Sequence, residues 1–279
     1  MKIDLNKVRT AKGCPKSADK IIIVGEPGVG KSSLGANFPN PIFLCADGEE
    51  SGIRKLAEAG TIPESTVWMP EIGIRGDGKT HGWVIFLQAL QALAQDEHDY
   101  KTVVLDCFDD GGFLDLAYHY HCLKAYEGDM GPKGFMNFQN GYATSVDEIK
   151  RATHGWIQAI IKKGINVVLL AHATTGTHKN PDGMDYNKYC PLINQKYVWP
   201  MLRGWADMVL YMTYQTVVAK DGDKQKGKAI GGSQRILYTK HTATIDAKHR
   251  HGLPAEILLP DDPSEMFNTF NSALRKENN

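Results

Sequence analysis

Cysteine is scarce in this sequence and unpatterned: Cys14, Cys45, Cys107, Cys122 and Cys190 are odd in number, widely spaced and without a CxxC pair. That argues against a disulfide framework and suits reduced thiols in a cytosol. Net charge is also lacking, because 32 Lys and Arg balance 32 Asp and Glu. Composition therefore gives no support for nucleic-acid binding, and any such contact has to come from local patches. No apolar run approaches the roughly 20 residues of a membrane span, and Met1-Lys2-Ile3-Asp4-Leu5-Asn6 has no apolar signal core. A cytoplasmic protein without membrane contact is expected. Repeats and long low-complexity tracts are missing, which excludes a solenoid. His119-Tyr120-His121-Cys122 lacks the second ligand pair that a closed zinc site needs.

What is present is ample material for a core, with 42% hydrophobic residues in a chain of 279. The first twenty residues carry Lys2, Lys7, Arg9, Lys12, Lys16 and Lys20 against Asp4 and Asp19. They form a basic arm, read either as a solvated tail or as a contact for DNA or a partner. Short β-branched or aliphatic runs follow at Ile21 to Val24, Ile42 to Ala46, Thr102 to Asp106 and Asn166 to Ala171, the pattern of strands buried on both faces of a parallel sheet. Helical patterns separate them at Lys31 to Phe38 and Trp83 to Ala94, and Ser145-Val146-Asp147-Glu148 reads as a capping box opening a further helix. Met208 to Val218, Arg235 to Thr242 and Ala255 to Leu259 look like strands joined by turns, with a polar loop from Lys220 to Lys228. The expected fold is α/β: a mainly parallel sheet flanked by helices, with a C-terminal antiparallel extension. The expected division is an arm over 1–19, one domain over 20–260 and a tail over 261–279.

Chemistry is most legible at Gly25-Glu26-Pro27-Gly28-Val29-Gly30-Lys31-Ser32. An apolar strand precedes this GxxxxGK[ST] run and a helical pattern follows it, the arrangement that turns backbone N–H groups toward phosphate oxygens. The glycines permit close approach, Lys31 reaches the β- and γ-phosphates, Ser32 ligates magnesium, and Ser33 completes the phosphate-binding stretch. ATP and magnesium are the implied cofactors. A second acid on the magnesium side is expected at a strand end, and Thr102-Val103-Val104-Leu105-Asp106 supplies Asp106, with Asp109 and Asp110 as nearby competitors. Glu49, in Ala46-Asp47-Gly48-Glu49-Glu50, is placed to orient or deprotonate water, against the alternative of a solvated acidic turn. His172 at the tip of Val167-Val168-Leu169-Leu170-Ala171 is a candidate sensor of the γ-phosphate.

Taken in order, these motifs resemble the RecA-like core, and specifically the compact phage nucleotide-binding proteins of AAA-domain type, some of which act as single-strand annealing recombinases. The resemblance extends over about residues 20 to 260 in layout and is most specific at the P-loop. Ala247-Lys248-His249-Arg250-His251-Gly252-Leu253-Pro254 is similar to the Lys-Asn-Arg-Phe-Gly type motif of that group, with His249 and His251 departing from it. The resemblance implies that Lys248 and Arg250 approach the nucleotide of a neighbouring subunit in a homo-oligomer or filament; a plain basic turn is the competing reading. It also implies single-stranded DNA as a partner, with a single-strand-binding protein as another candidate. The segments expected to touch DNA are the loops following Asp106 and His172. Lys124 to Asn140 holds Lys124, Tyr126, Lys133, Phe135 and Phe138, and His178 to Trp199 holds Lys179, Tyr186, Lys188, Tyr189, Lys196, Tyr197 and Trp199. Cations interleaved with aromatics suit backbone neutralisation with base stacking. The leading expectation is an oligomeric, DNA-binding ATPase of phage-type recombination or annealing. The alternatives are a nucleotide-switched accessory of replication or packaging and a P-loop small-molecule kinase.

Overall fold

The computed structural model describes residues 17–46, 49–69, 80–219 and 228–275. The basic arm up to Lys16, Asp47 and Gly48 before Glu49, and the polar loop over 220–227 lie outside the described residues.

Chain order is β1 (Lys20–Gly25), α1 (Lys31–Ala36), β2 (Pro41–Cys45), α2 (Glu50–Glu58), β3 (Val67–Met69), α3 (Gly82–Gln95), β4 (Thr102–Asp106) and α4 (Phe113–Ala125). A helix over α5 (Asn140–Lys150), a π turn (Arg151–Ile157) and α6 (Gln158–Lys162) follows, then β5 (Asn166–His178), β6 (Tyr186–Pro191), α7 (Val198–Trp205), β7 (Met208–Ala219), β8 (Lys228–Tyr238), β9 (Glu256–Leu259) and α8 (Pro263–Arg275). The strands lie side by side in the order β3-β2-β4-β5-β1-β7-β8-β9, with β6 paired to the far half of β5. From β3 to β7 the pairing is parallel, and β8 and β9 close the sheet antiparallel. This is the mainly parallel sheet with an antiparallel extension that the sequence pattern led us to expect.

Why the parallel strands are continuous apolar runs follows from their two buried faces. Side chains alternate across a strand, so Ile22, Val24, Val103, Leu105, Val167 and Leu169 join α3 to α7 in one core. Ile21, Ile23, Val104, Val168 and Leu170 join α1, α2 and α8 in the other. The sheet thereby holds the C-terminal ends of its strands in fixed register: Gly25 is paired with His172, Cys45 with Asp106, and Asp106 with Leu170. Ligand sites of open α/β sheets lie at that edge.

Two expectations are corrected here. The helix containing Ser145 begins at Asn140, so Ser145 is an interior residue rather than a cap. Its hydroxyl donates back to the Tyr142 carbonyl at 3.0 Å, while Glu148 is buried as acceptor for Trp83 Nε1 at 2.9 Å. The segment from His178 to Trp199 is not a long loop. β5 continues through His178 and turns back into β6, with Thr174 paired to Cys190, Gly176 to Lys188 and His178 to Tyr186. The turn is Asn180-Pro181-Asp182-Gly183, where the Asn180 side chain accepts from the Asp182 N–H at 3.1 Å, an Asx turn of a familiar kind. Trp199 belongs to α7 and is 5% exposed, its indole N–H donating to Asp246 at 3.3 Å.

Candidate functional site

The loop between β1 and α1 takes its shape from glycine. A Cβ on Gly25 would lie 2.5 Å from the Met212 carbonyl oxygen, so a side chain there would push β1 and β7 apart. Gly30 sits at φ 104°, a left-handed conformation that other residues rarely adopt. Lys31 begins α1 with its ammonium folded back over the loop, donating to the carbonyls of Gly25 and Glu26 at 3.0 Å each. It is 6% exposed. Burial holds it below the ordinary lysine range, a shift partly offset by Asp106 and Asp109.

Across the cleft, Ser32 donates to Asp106 Oδ2 at 2.7 Å. Asp106 ends β4 and is buried. Burial raises its carboxyl to about 6, against the opposing effects of the Ser32 hydrogen bond and Lys31, while nearby Glu49 pushes it further up. A half-buried hydroxyl and a buried carboxylate at hydrogen-bond distance present two hard oxygens to one point, the donor chemistry that suits magnesium. A buried ammonium bonded to carbonyls beside a glycine-built loop suits an anionic group. The residues present thus fit a magnesium-bound triphosphate.

Pro27, Gly28, Gly30, Lys31, Ser32, Ser33, Glu49, Asp106 and His172 line a single cleft of about 570 Å³. Tertiary structure therefore brings Lys31, Ser32, Asp106, Glu49 and His172 together from four separate stretches of chain. Gly25 and Glu26 contribute their carbonyls to Lys31, and Val29 is fully buried beneath the loop. Glu49 stands at the start of α2, beyond the end of β2.

The competitors of Asp106 have other partners. Asp109 is fully buried and accepts from both the backbone N–H and Nδ1 of His172 at 2.8 Å. It also accepts from the Cys107 thiol at 3.2 Å and the Gly111 N–H at 3.0 Å. Burial alone would raise this carboxyl, but the His172 hydrogen bonds outweigh it and hold Asp109 below the ordinary range. Burial, with Asp109 beside it, pushes the Cys107 thiol strongly up. Nδ1 of His172 is thereby fixed as the donor to a carboxylate, which leaves Nε2 as the ring nitrogen for a ligand. Asp110 accepts from Tyr118 at 2.8 Å, and burial raises its carboxyl to about 6.

Lys248 and Arg250 lie elsewhere. Lys248 bridges to Val209, and its ammonium donates to the Ala206 carbonyl at 2.7 Å. Arg250 donates to Asp207 at 2.9 Å. Ala206 and Asp207 precede β7, where Asp207 pairs with Lys20 at the start of β1. Both cations therefore sit at the N-terminal edge of the sheet, roughly 17 Å along β1 from this chain's own P-loop.

Sequence reasoning missed Arg235 and Lys55, which also line the cleft. Nothing local marks either one: Lys55 reads as a helix-surface cation and Arg235 as a strand residue. Among the aromatics proposed for DNA, Phe135 is fully buried against Tyr118, Tyr126 and Tyr142 with ring centroids 5.1 to 5.9 Å away. It is a core residue, whereas Phe138 is 89% exposed. Lys179 is tied to Asp185 at 2.5 Å. No disulfide joins Cys45, Cys107, Cys122 or Cys190 among the described residues, and no helix of the described residues is long and apolar enough to cross a membrane.

The profile of a family described as "AAA domain" matches residues 17–251. Similar solved structures include the RadB recombinase, at 10% identity over 88% of each chain with a TM-score of 0.45. A KaiC-like protein from the hyperthermophilic archaeon Pyrococcus horikoshii OT3 aligns at 11% identity over 91% of this chain and 90% of that one, with a TM-score of 0.37. No curated protein matches the chain in sequence.

Proposed function

Starting from the fact that this chain belongs to the AAA domain family, a family of P-loop ATPases, we propose that it is a magnesium-dependent, oligomeric ATPase that binds single-stranded DNA in phage-type recombination or annealing. The observation that carries the reading is the convergence of Lys31, Ser32, Asp106, Glu49 and His172 on one cleft. Gly28 to Ser33 with Lys31 would hold the triphosphate, and Ser32 and Asp106 the magnesium. The metal supplies neutralisation of charge on the phosphoryl oxygens. Glu49 accepts the proton of the attacking water, and its place at the start of α2, lining the cleft with the P-loop, supports that role. His172, its Nδ1 anchored on Asp109, presents Nε2 to the γ-phosphate end of the cleft.

Single-strand binding is supported by Phe138, exposed and followed by Gln139 in a left-handed conformation, and by the exposed hairpin of β5 and β6 with Lys179, Lys188 and Tyr189. Stacking on such rings is tolerant of sequence. The position of Lys248 and Arg250, far from the chain's own P-loop, is compatible with service to a neighbour's nucleotide.

ATP turnover with and without single-stranded DNA, together with fluorescence anisotropy of a labelled oligonucleotide at low salt, tests the proposal. Turnover that depends on Lys31 and rises with DNA is expected; absence of DNA binding in every nucleotide state overturns the DNA reading. Mixing Glu49→Gln protein with a Lys248→Ala, Arg250→Ala protein tests the action across subunits. Partial recovery of turnover is expected, and continued inactivity of a shown co-assembly refutes it.

A further inference from the structure

The antiparallel extension does more than lengthen the sheet. Tyr214 on β7 and Arg235 on β8 are direct partners in register, and both side chains reach over to the P-loop. Tyr214 donates its hydroxyl to the Gly28 carbonyl at 3.3 Å, and Arg235 Nε donates to the Val29 carbonyl at 2.9 Å. The guanidinium carbon stands 5.5 Å from the centre of the Tyr214 ring, so the two hold each other in place. On its other side Arg235 Nη1 donates to the Asp261 carbonyl at 3.4 Å, where the chain enters α8. Two consecutive carbonyls of the loop are thus tied by side chains of one hairpin.

A peptide unit is planar and trans, so its C=O and N–H point in opposite directions. Tying the Val29 carbonyl to Arg235 fixes the plane of the Val29–Gly30 peptide, and with it the direction of the Gly30 N–H. Tying the Gly28 carbonyl does the same for Val29. Gly30, at φ 104°, has no side chain to restrict it, so this stretch would otherwise sample several orientations. A donor fixed in advance loses less entropy when an anion arrives.

We propose that Arg235, supported by Tyr214, is a positioning residue for the nucleotide: it sets the plane of the Val29–Gly30 peptide so that the Gly30 N–H is preorganised for phosphate, while the Val29 N–H donates within the loop to the Glu26 carbonyl at 3.4 Å. This rests on the reading of the cleft as a nucleotide site. It also makes the long hairpin of β7 and β8 a lever on nucleotide affinity, since anything that moves that pair of strands moves Tyr214 and Arg235 with them.

The experiment is titration of a fluorescent ATP analogue with magnesium, alongside turnover and thermal melting, for the wild type, Arg235→Ala, Arg235→Lys and Tyr214→Phe. Arg235→Ala should weaken binding about tenfold, the scale of one lost charge-assisted hydrogen bond, and raise KM with kcat nearly unchanged. Arg235→Lys should recover most of that loss, because an ammonium can still donate to the Val29 carbonyl. Tyr214→Phe removes only a hydroxyl and should weaken binding about threefold at unchanged melting temperature, so it decides the matter even where Arg235→Ala fails to fold. Wild-type affinity in Arg235→Ala or Tyr214→Phe, or a lysine variant no better than alanine, overturns the inference and leaves the nucleotide reading standing. A wild type that binds no nucleotide overturns both.

Discussion

Replacing Asp106 by Asn isolates what the fold gives up to keep a buried carboxylate at the end of β4, the group we propose for magnesium. The carboxyl rises from its ordinary 3.8 to about 6 in the folded protein because burial penalises the charged form. At about 1.36 kcal/mol per pH unit this corresponds to about 3 kcal/mol. The neutral form is the one the fold prefers, so the folded state binds the proton more tightly than the unfolded chain. Stability is therefore unaffected by this group below pH 3.8, falls as pH rises toward 6, and carries the full penalty above 6. Worked through, the penalty is about 0.5 kcal/mol at pH 4 and about 3 kcal/mol at pH 8. Asparagine keeps an oxygen to accept from Ser32 and does not ionise. Its advantage over the wild type should grow by about 2 to 3 kcal/mol between pH 4 and pH 8, several degrees in melting temperature at the upper end. Any packing cost of the amide is independent of pH and cancels from that difference. Chemical denaturation in chelator without nucleotide, at four or five pH values, measures it directly. The same variant should lose magnesium-dependent turnover, an exchange of stability for function of a recognised kind. If the wild-type and Asn stabilities run parallel in pH to within 1 kcal/mol, the burial argument for Asp106 is wrong.

Three further outcomes follow from the same geometry. Glu49→Gln should retain ATP binding and lose about 10²- to 10⁴-fold in turnover, the range for a general base; single-turnover measurements with undiminished rate would remove Glu49 from the chemistry. Asp109→Asn should cost about 1 to 3 kcal/mol at pH 7, since it weakens a buried acceptor of four hydrogen bonds. Because this carboxyl lies below its ordinary value, its contribution is present above pH 3.8 and is lost as pH falls through the folded value, so the two proteins should converge in acid denaturation. Phe135→Ala should destabilise by about 3 to 5 kcal/mol as a core truncation, whereas Phe138→Ala should leave stability within about 0.5 kcal/mol and reduce single-strand affinity about tenfold in anisotropy. The reverse pattern would exchange the roles assigned to the two rings.

Much of the fold was legible because its signals are local. The parallel strands are apolar on both faces, so Ile21 to Val24, Thr102 to Asp106 and Asn166 to Ala171 stand out as unbroken runs. The hairpin of β5 and β6 was passed over although Asn180-Pro181-Asp182-Gly183 marks its turn, because Thr174 to His178 and Tyr186 to Lys188 carry no apolar alternation to declare a strand. The expected cap at Ser145 shows the opposite failure: Ser-x-x-Glu occurs inside helices as well as before them, and here Glu148 was wanted by the Trp83 indole.

By itself the sequence determined the P-loop, with its glycines, Lys31 and Ser32, because phosphate binding by backbone needs a fixed spacing within eight consecutive residues. It also determined that Asp106 ends a strand and that Glu49 and His172 follow apolar runs, since an apolar run that stops at a polar residue can be read without knowing its neighbours; that β5 runs on past His172 to His178 it did not show. Only the tertiary structure decided that these residues share one cleft, that Asp109 belongs to His172, that Phe135 is core and Phe138 surface, and that Arg235 and Tyr214 brace the loop. Apart from Phe135, which is set by its packing on α4 and α5, those facts depend on which strands are adjacent and in what register, and pairing between residues sixty to two hundred positions apart leaves no mark on either residue's immediate neighbours.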